Sequence, residues 1–269
     1  MLNPLQSKLL EMFEWLTVFL ENNHLRYYMI EGTFLGAARH NGFIPWDDDI
    51  DIAMPRSDYE KLLILLKKPI NHYVVESCEN MASDFAYNMA KFYDLNTTLV
   101  EDLRHNVVRG VYIDIFPLDG LGNTYKEAVA TYKRIDRLNI LLNMITCAYR
   151  KDRKWWKNIG VFCGRIIPIS PNWLARRINR LCKRKNYDDC CYIANCMSTY
   201  RSREIIEKSI MGAPTDYKFE HLSAKGPEKM DVYLTYLYKD WKKLPPEDKR
   251  HSAHDFLNLD LSKPFKEWN

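Results

Sequence analysis

The sequence predicts an α+β fold in which helices flank a mixed β-sheet in the first half of the chain and the second half is mostly helical. As far as residue 123, short segments rich in β-forming residues alternate with helical patterns. From Thr124 onwards, longer helical patterns with capping residues follow. No linker is long enough to separate two independent domains, and 269 residues are sufficient for a large core. We therefore expect a core at 1–123 and a helical region at 124–269 that completes it.

Periodicity and turn residues define the elements of the first half. Apolar residues at helical spacing, opened by Asn3 and Pro4, predict an amphipathic N-terminal helix and not a signal peptide. A glycine-punctuated turn leads into a short helix within 31–42, and Ser57 is predicted to cap a helix that ends near Lys68. Segments rich in β-forming residues predict strands at 25–30, 49–54, 72–77, 86–94 and 111–120.

Capping signals define the helices of the second half. Thr124 and Glu127 have capping-box spacing, which predicts a helix that continues to about residue 149. Ser170 and Pro171 predict the start of another helix that continues to about residue 185. Pro227 predicts the start of a third.

The composition excludes several classes of protein. With 46% hydrophobic and 28% charged residues the chain is neither disordered nor of low complexity. No apolar run approaches the roughly 18–20 residues that a membrane-spanning helix requires. Seven cysteines without an export signal favour a reduced, cytoplasmic setting.

The segment 150–186 is strongly basic, with twelve Lys or Arg residues and one acidic residue. It also contains three tryptophans and an apolar run at 159–169. This combination is typical of contact with an anionic membrane surface, and it also fits an anionic glycan. Nucleic acid is less favoured because no nucleic-acid-binding motif is present. The alternative is a solvated helical face whose apolar residues belong to the core.

Two carboxylates lie within the predicted strand at 49–54. Asp49 and Asp51 lie two residues apart and so share a face, while Ile50 packs on the other. Asp114 lies between two isoleucines of a later predicted strand and has the same arrangement. Repulsion between neighbouring carboxylates is relieved by a hard divalent cation, so we predict that all three bind Mg²⁺ (or Mn²⁺). A solvated strand edge is the alternative.

Residues around these carboxylates complete a candidate site. Gly32 and Thr33 follow a strand and precede a helix, where backbone N–H groups bind anions. Arg39 is placed to reach a phosphate, although it is nearly as well explained as a surface residue. Asp48 is out of phase with the metal-binding pair and is predicted to hold metal-bound water or an arginine. Asp47 is interpreted in the same way.

Several sequence blocks resemble the LicD family of phosphocholine transferases. The first, "GTFLGAARHNGFIPWDDDIDIAMPRSDYEKL", is the most specific, and "KFYDLNTT", "YIDIFPLDG" and "YLTYLYKDWKKLPPEDKR" follow in family order. The resemblance covers roughly residues 25–255. Lys239 stands where the family pattern has glycine, which puts the local end of a helix in doubt.

The resemblance implies a nucleotidyltransferase-like fold and a reaction. Asp49, Asp51 and Asp114 would be the catalytic metal ligands, and Gly32 and Thr33 would contact the donor phosphates. The implied reaction moves phosphocholine from CDP-choline to a sugar hydroxyl of a cell-wall or surface glycan, such as a teichoic acid precursor, and releases CMP. A lipid-linked acceptor would place the protein at the inner face of a bacterial membrane.

The resemblance leaves some roles open. Asp114 would ligate a second metal ion or take the acceptor proton, and the donor could instead carry ribitol or glycerol phosphate. A catalytically silent glycan- or membrane-binding scaffold is the third alternative. Lys91 would contact a phosphate or be an exposed strand lysine, and Trp46 would face choline or belong to the core. His254, like His251, is a candidate for proton transfer, although most such histidines are surface residues.

Four cysteines cluster in the second half at Cys182, Cys190, Cys191 and Cys196. Their spacing lacks the paired Cys-x-x-Cys pattern of a zinc site. Small buried thiols are therefore the favoured interpretation, with zinc as the alternative.

Overall fold

A computed structural model describes residues 2–79, 87–101, 107–147, 149, 154–164, 166–252 and 256–265. The helices in these ranges are α1 (Pro4–Asn22), α2 (Glu31–His40), α3 (Arg56–Leu65), α4 (Tyr125–Thr146), α5 (Trp155–Gly164), α6 (Pro171–Cys182), α7 (Lys208–Met211) and α8 (Met230–Tyr238). The strands in the same ranges are β1 (Tyr28–Met29), β2 (Asp51–Pro55), β3 (Tyr73–Ser77), β4 (Ala90–Asp94), β5 (Thr98–Glu101), β6 (Val107–Arg109), β7 (Tyr112–Gly122), β8 (Tyr192–Asn195), β9 (Ile206–Glu207), β10 (Thr215–Phe219), β11 (Leu222–Gly226) and β12 (Phe256–Asp260). The predicted α+β fold is confirmed.

The long strand β7 is the centre of the main sheet. Strand β2 runs parallel to β7 on one side, with β1 beyond it. On the other side, the first half of β7 pairs with β4 and the second half with β8, both antiparallel. Strand β3 extends the sheet beyond β4, and β9 extends it beyond β8. A small sheet of order β12-β5-β6 and the β10–β11 hairpin complete the strands of the described residues.

Alternation of apolar and polar residues explains why β2 and β7 form the centre. Ile52, Ile113 and Ile115 are fully buried, whereas Asp51 and Asp114, which alternate with them, are partly exposed. The isoleucines anchor one face of the sheet in the core. The carboxylates consequently lie on the opposite face of the sheet.

The N-terminal helix α1 follows the predicted pattern and supports the loop that precedes β2. Asn3 and Gln6 form a reciprocal capping box, and Pro4 is the first helical residue. Gln6 Nε2 also donates a hydrogen bond to the backbone oxygen of Asp47, at 2.9 Å. One side chain thus links the helix cap to the aspartate run.

Several predicted boundaries differ from the structure. Helix α2 begins at Glu31, so Gly32 and Thr33 lie in its first turn and not in a preceding turn. Helix α3 begins at Arg56, one residue before the predicted cap, and α8 begins three residues after Pro227. The predicted caps Thr124 and Ser170 are confirmed, since each side chain accepts a hydrogen bond in the first turn of its helix.

The second half is not only helical. Among the described residues it contributes five strands, and β8 joins the main sheet beside β7. Helix α4 and helix α6 pack near this junction, where Leu121, Tyr132 and Ile178 are buried together. No helix in the described ranges is long and apolar enough to cross a membrane.

Candidate active site

Three charged side chains form a row across the centre of the main sheet. Asp51 of β2 is the register partner of Asp114 on the parallel strand β7. Lys91 of β4 is the register partner of Asp114 on the antiparallel side. Register partners on neighbouring strands present their side chains on one face, so the sheet brings the two carboxylates and the ammonium together.

Lys91 is enclosed by two carboxylates and an aromatic ring. Its Nζ lies 3.3 Å from Asp114 Oδ1, 3.5 Å from Glu101 Oε1 and 3.1 Å from the centroid of the Tyr112 ring. The Tyr112 hydroxyl donates to Glu101 at 2.8 Å, which fixes that carboxylate in place. The Lys91 side chain is only 4% exposed, and its ion-pair partners in the structure are carboxylates of the protein itself. Its predicted contact with a phosphate stays a prediction.

The aspartate run 47–49 forms a cluster at the start of β2. One carboxylate oxygen from each residue lies within 4.8 Å of the other two. The Ser252 hydroxyl donates to Asp48. The backbone continues as extended chain into β2, because Asp114 N donates to Ile50 O at 3.0 Å before the strand formally begins. The aspartate run is therefore a loop-to-strand junction.

The first turn of α2 packs directly against these carboxylates. Thr33 is buried, and its hydroxyl accepts a hydrogen bond from Asp51 N at 2.8 Å. A Cβ on Gly32 would lie 3.0 Å from Asp47 Oδ2, so the absence of a side chain allows this close approach. Gly32 and Thr33 thus connect the helix N-terminus to the aspartate run. Their predicted contact with donor phosphates stays a prediction.

Glu31 is a further acid of the site that sequence reasoning missed. It is the first residue of α2 and has a positive φ of 46°, which is uncommon for a residue with a side chain. Asn195 of β8 donates to Glu31 Oε1 at 3.1 Å. The signal in the sequence was its position immediately before Gly32, an acidic residue between a buried strand and the predicted anion site.

Burial and mutual repulsion raise the pKa values of these acids. Burial raises the pKa of Asp51 well above its ordinary value, and the charges of Asp49 and Glu31 raise it further. Burial raises the pKa of Glu31 to about 7, and the Asp49 charge adds to the rise, while hydrogen bonds from Ser198 and Asn195 oppose it.

The pKa of Asp114 is set by opposing effects. Burial raises its pKa, the Lys91 ammonium lowers it, and the Glu101 and Asp49 charges raise it again, giving a value of about 6. Of the two acids in the row, Asp114 is therefore the one whose ionised form is stabilised by the Lys91 ammonium. The Asp114 side chain is 18% exposed, so solvent reaches it.

The arrangement fits a divalent cation. Carboxylate oxygens are the ligands that Mg²⁺ and Mn²⁺ prefer, and here several acids converge whose pKa values are raised by burial and by mutual repulsion. Asp114 Oδ1 is buried and, although close to Lys91, accepts no well-directed hydrogen bond from a residue that the structure describes. Asp49, Asp51 and Asp114 are the residues that would hold the ion.

Comparisons with known proteins agree with this geometry. Residues 24–139 match the model of the LicD/FKTN/FKRP nucleotidyltransferase domain. The lipopolysaccharide cholinephosphotransferase LicD of Haemophilus influenzae is 27% identical over 255 residues, which are 91% of this chain and 92% of the relative. Residues 24–139 are a LicD-family nucleotidyltransferase domain.

Two shorter similarities involve uncharacterised proteins of Rickettsia prowazekii and Rickettsia typhi. Each is 49% identical to this chain over 39 residues, which are 14% of this chain and 15% and 13% of the respective relatives. These matches indicate a short segment of high similarity and do not extend over the rest of the fold.

The matched LicD-family domain contains the whole charged row but not all of its surroundings. Asn195, which donates to Glu31, lies beyond residue 139. Glu204 also lies beyond it. This acid is buried, accepts a hydrogen bond from Ser198 at 3.0 Å, and has a pKa raised well above its ordinary value by burial and by Glu31. Residues beyond the matched domain therefore supply groups that contact or influence the site.

Other predicted residues lie farther from the charged row. Arg39 Nη1 donates to the backbone oxygens of Trp241 and Lys243, so it joins α2 to the C-terminal segment. The Trp46 ring is partly buried and lies 5.8 Å from the Arg250 guanidinium carbon. His251 is exposed, and His254 lies outside the described residues.

The cysteine cluster divides in the structure. Cys182 and Cys196 are buried beside Asp119, while Cys190 packs against Gly120 and Cys191 is exposed. Both Asp119 oxygens accept hydrogen bonds from Arg56, at 2.7 and 2.8 Å. Because the one carboxylate of this group is already bound to an arginine, its environment favours buried thiols over a zinc site.

Proposed function

We propose that this LicD-family chain is a phosphotransferase that moves phosphocholine from CDP-choline to a sugar hydroxyl of lipopolysaccharide or a related surface glycan, and releases CMP. The observation that carries the proposal is the row of Asp51, Asp114 and Lys91 beside the aspartate run. The relative from Haemophilus influenzae, a lipopolysaccharide cholinephosphotransferase, supports this donor group and this acceptor class. Teichoic acid precursors share the acceptor's sugar hydroxyl chemistry.

The acids and the first turn of α2 would bind different parts of the donor. Asp49, Asp51 and Asp114 would hold Mg²⁺ or Mn²⁺, which when bound would neutralise the charge of the donor pyrophosphate. The first turn of α2, at Gly32 and Thr33, presents backbone N–H groups and the positive end of the helix to a phosphate.

Bond changes in the reaction are confined to one phosphorus. The acceptor hydroxyl oxygen forms a bond to the choline-bearing phosphorus, and the bond from that phosphorus to the oxygen retained by CMP breaks. The hydroxyl proton passes to a carboxylate. Asp114 takes this proton in the alternative in which Asp49 and Asp51 alone hold the cation; its pKa of about 6 leaves it ionised at neutral pH, and Lys91 fixes its orientation. Phosphoryl transfer requires chiefly such positioning and electrostatic stabilisation.

Turnover with defined donors tests the proposal. Purified protein is mixed with CDP-choline, lipopolysaccharide and Mg²⁺, and both CMP release and choline phosphate on the glycan are measured. We expect turnover that EDTA abolishes and that Asp51→Asn lowers by at least about a hundredfold. Asp216→Asn is the matched control, because this carboxylate is on an exposed hairpin and pairs with Lys225. It should retain wild-type activity.

The other donors and the scaffold alternative are distinct outcomes of the same assay. Turnover with CDP-ribitol or CDP-glycerol but not with CDP-choline would replace the transferred group and keep the site. The absence of CMP release with every donor and acceptor, at pH values on both sides of the Asp114 pKa, would contradict the proposed activity.

A further inference from the structure

Helix α5 presents an apolar face that nothing in the described structure covers. Four large side chains recur at helical spacing along it and just beyond its end: Trp155 is 74% exposed, Ile159 51%, Phe162 67% and Ile166 78%. Trp156, beside this stripe, is 54% exposed. A contiguous row of exposed large apolar residues is unusual on a protein surface and marks an interaction site.

The opposite side of α5 is firmly packed, so the exposed stripe is a fixed surface. Val161 and Gly164 are buried against α4. A Cβ on Gly164 would lie 2.1 Å from Met144 O, and one on Gly160 would lie 3.6 Å from the Met144 side chain. The two glycines, four residues apart, let the helices approach closely.

Basic residues flank the apolar stripe. Lys154 and Lys157 are exposed at the start of α5, and the Lys157 ammonium lies 5.6 Å from the Trp156 ring centroid. Within the described part of the chain no carboxylate pairs with either lysine. Such unpaired positive charges beside tryptophans are complementary to a surface that is both apolar and anionic.

The next helix repeats the pattern with more charge. Trp173 is 55% exposed on α6, Arg177 and Arg180 are exposed on the same helix, and Arg184 is exposed in the turn just after it. The Arg177 guanidinium carbon lies 5.8 Å from the Trp173 ring centroid. The described carboxylates form no ion pair with these three arginines, whereas Lys183 of the same segment is paired with Glu60 and Glu79.

We propose that the exposed face of α5, assisted by the basic face of α6, docks this protein on an anionic phospholipid bilayer. A ten-residue helix is too short to cross a bilayer and is suited to lie in its interface, with tryptophans at headgroup level and lysines and arginines on the phosphates. A purely apolar protein partner would leave the unpaired basic side chains without complementary charge.

The docking face is connected to the charged row through the end of α4. Lys91 Nζ lies 5.7 Å from the Tyr87 ring centroid. Tyr87 also packs against the buried cluster that contains Leu142 and Ile145 of α4. Tyr87 therefore links the row to α4, the helix on which α5 packs. Docking through α5, which packs on α4, would therefore hold the site near acceptors that are anchored in a membrane.

Vesicle flotation tests the proposal without requiring catalysis. Wild-type protein is mixed with vesicles of phosphatidylglycerol and phosphatidylcholine, or of phosphatidylcholine alone. We expect binding to the anionic vesicles, a blue shift of tryptophan emission, and weaker binding at high salt. Ile159→Ser/Phe162→Ser should weaken binding by at least about tenfold. Ile64→Ser is the matched control, since Ile64 is 75% exposed on α3, and it should bind like wild type.

Three outcomes would overturn the proposal. Equal flotation of the double variant and wild type would exclude the α5 face, and loss of flotation in the Ile64→Ser control would show a nonspecific apolar effect. A dimer that dissociates in the double variant, with no vesicle binding by wild type, would assign the face to a second copy. Transferase activity on a detergent-free soluble acceptor should be the same in wild type and the double variant, so failure of docking and failure of the proposed function are distinguishable.

Discussion

Lys91 is the positive charge that makes a row of buried carboxylates compatible with folding. Its ammonium is shared by Asp114 and Glu101 and lies over the Tyr112 ring. The sequence predicted a lysine in a strand, but its neighbours depend on the register between β4 and β7, which no local pattern specifies. The burial of Lys91 therefore follows from strand pairing and could not be predicted from the local sequence.

Replacement of Lys91 should destabilise the protein more than loss of a surface ion pair. Lys91→Met removes the cation beside Asp114 and leaves Glu101 with only the longer Arg109 pair, so we expect a loss of about 3 kcal/mol in the free energy of unfolding. Urea unfolding of the metal-free protein measures it. Lys242→Met, which removes an exposed pair with Asp231, should cost less than about 1 kcal/mol. Equal effects of the two replacements would show that the Lys91 pair is not buried in solution.

The pKa values of Glu31 and Asp114 predict a dependence of stability on pH. Their folded-state values of about 7 and about 6 exceed the ordinary values of 4.5 and 3.8. Between the ordinary and the raised values the folded protein keeps protons that the unfolded chain has released. The free energy of unfolding of the metal-free protein should therefore fall as the pH rises from about 4 to about 7.

Thermal unfolding across this pH range checks the prediction with one variant. Glu31→Gln cannot ionise at this position, so its melting temperature should fall less than that of wild type as the pH rises from about 4 to about 7. Addition of Mg²⁺ at the higher pH should restore stability to the wild type. A wild-type melting temperature that rises across this range would mean that the acids are ionised at ordinary pKa values.

At the scale of elements, the ends of helices were harder to predict than their existence. Thr124 and Ser170 were recognised as caps because their side chains act locally. The start of α2 at Glu31 could not be read from the sequence, because its positive φ is imposed by contacts with β8 and α8, including a hydrogen bond from Glu31 N to the Tyr233 hydroxyl. Tertiary contacts decide that boundary.

Lys239 gives a prediction at the same scale. This residue ends α8 with φ 61° and ψ −105°, a conformation that disfavours side chains, where the family pattern has glycine. Lys239→Gly should raise the free energy of unfolding by about 1 kcal/mol. Lys243→Gly, in the following segment, is the control and should give no increase. Destabilisation by Lys239→Gly would mean that contacts of the lysine side chain outweigh the strain.

At the scale of the molecule, the site is formed by both halves of the chain. The sequence correctly indicated the fold class and the acids of β2 and β7, because period-two alternation and isoleucine flanks are local signals. It did not indicate that β8 would continue the sheet or that Asn195 would bond Glu31, because these contacts join residues far apart in sequence. The basic segment was recognised by charge, but its exposed stripe required the packing of α5 on α4.

The central claim is that the carboxylates of β2 and β7 form a cation-dependent site for the donor pyrophosphate. Calorimetry of CDP-choline binding, with and without Mg²⁺, tests it most directly on wild type, Asp51→Asn, Asp114→Asn and the Asp216→Asn control. We predict heat of binding that requires Mg²⁺, disappears in the Asp51 and Asp114 variants and persists in the control. Undiminished Mg²⁺-dependent heat in both the Asp51→Asn and Asp114→Asn proteins would contradict the assignment of the site.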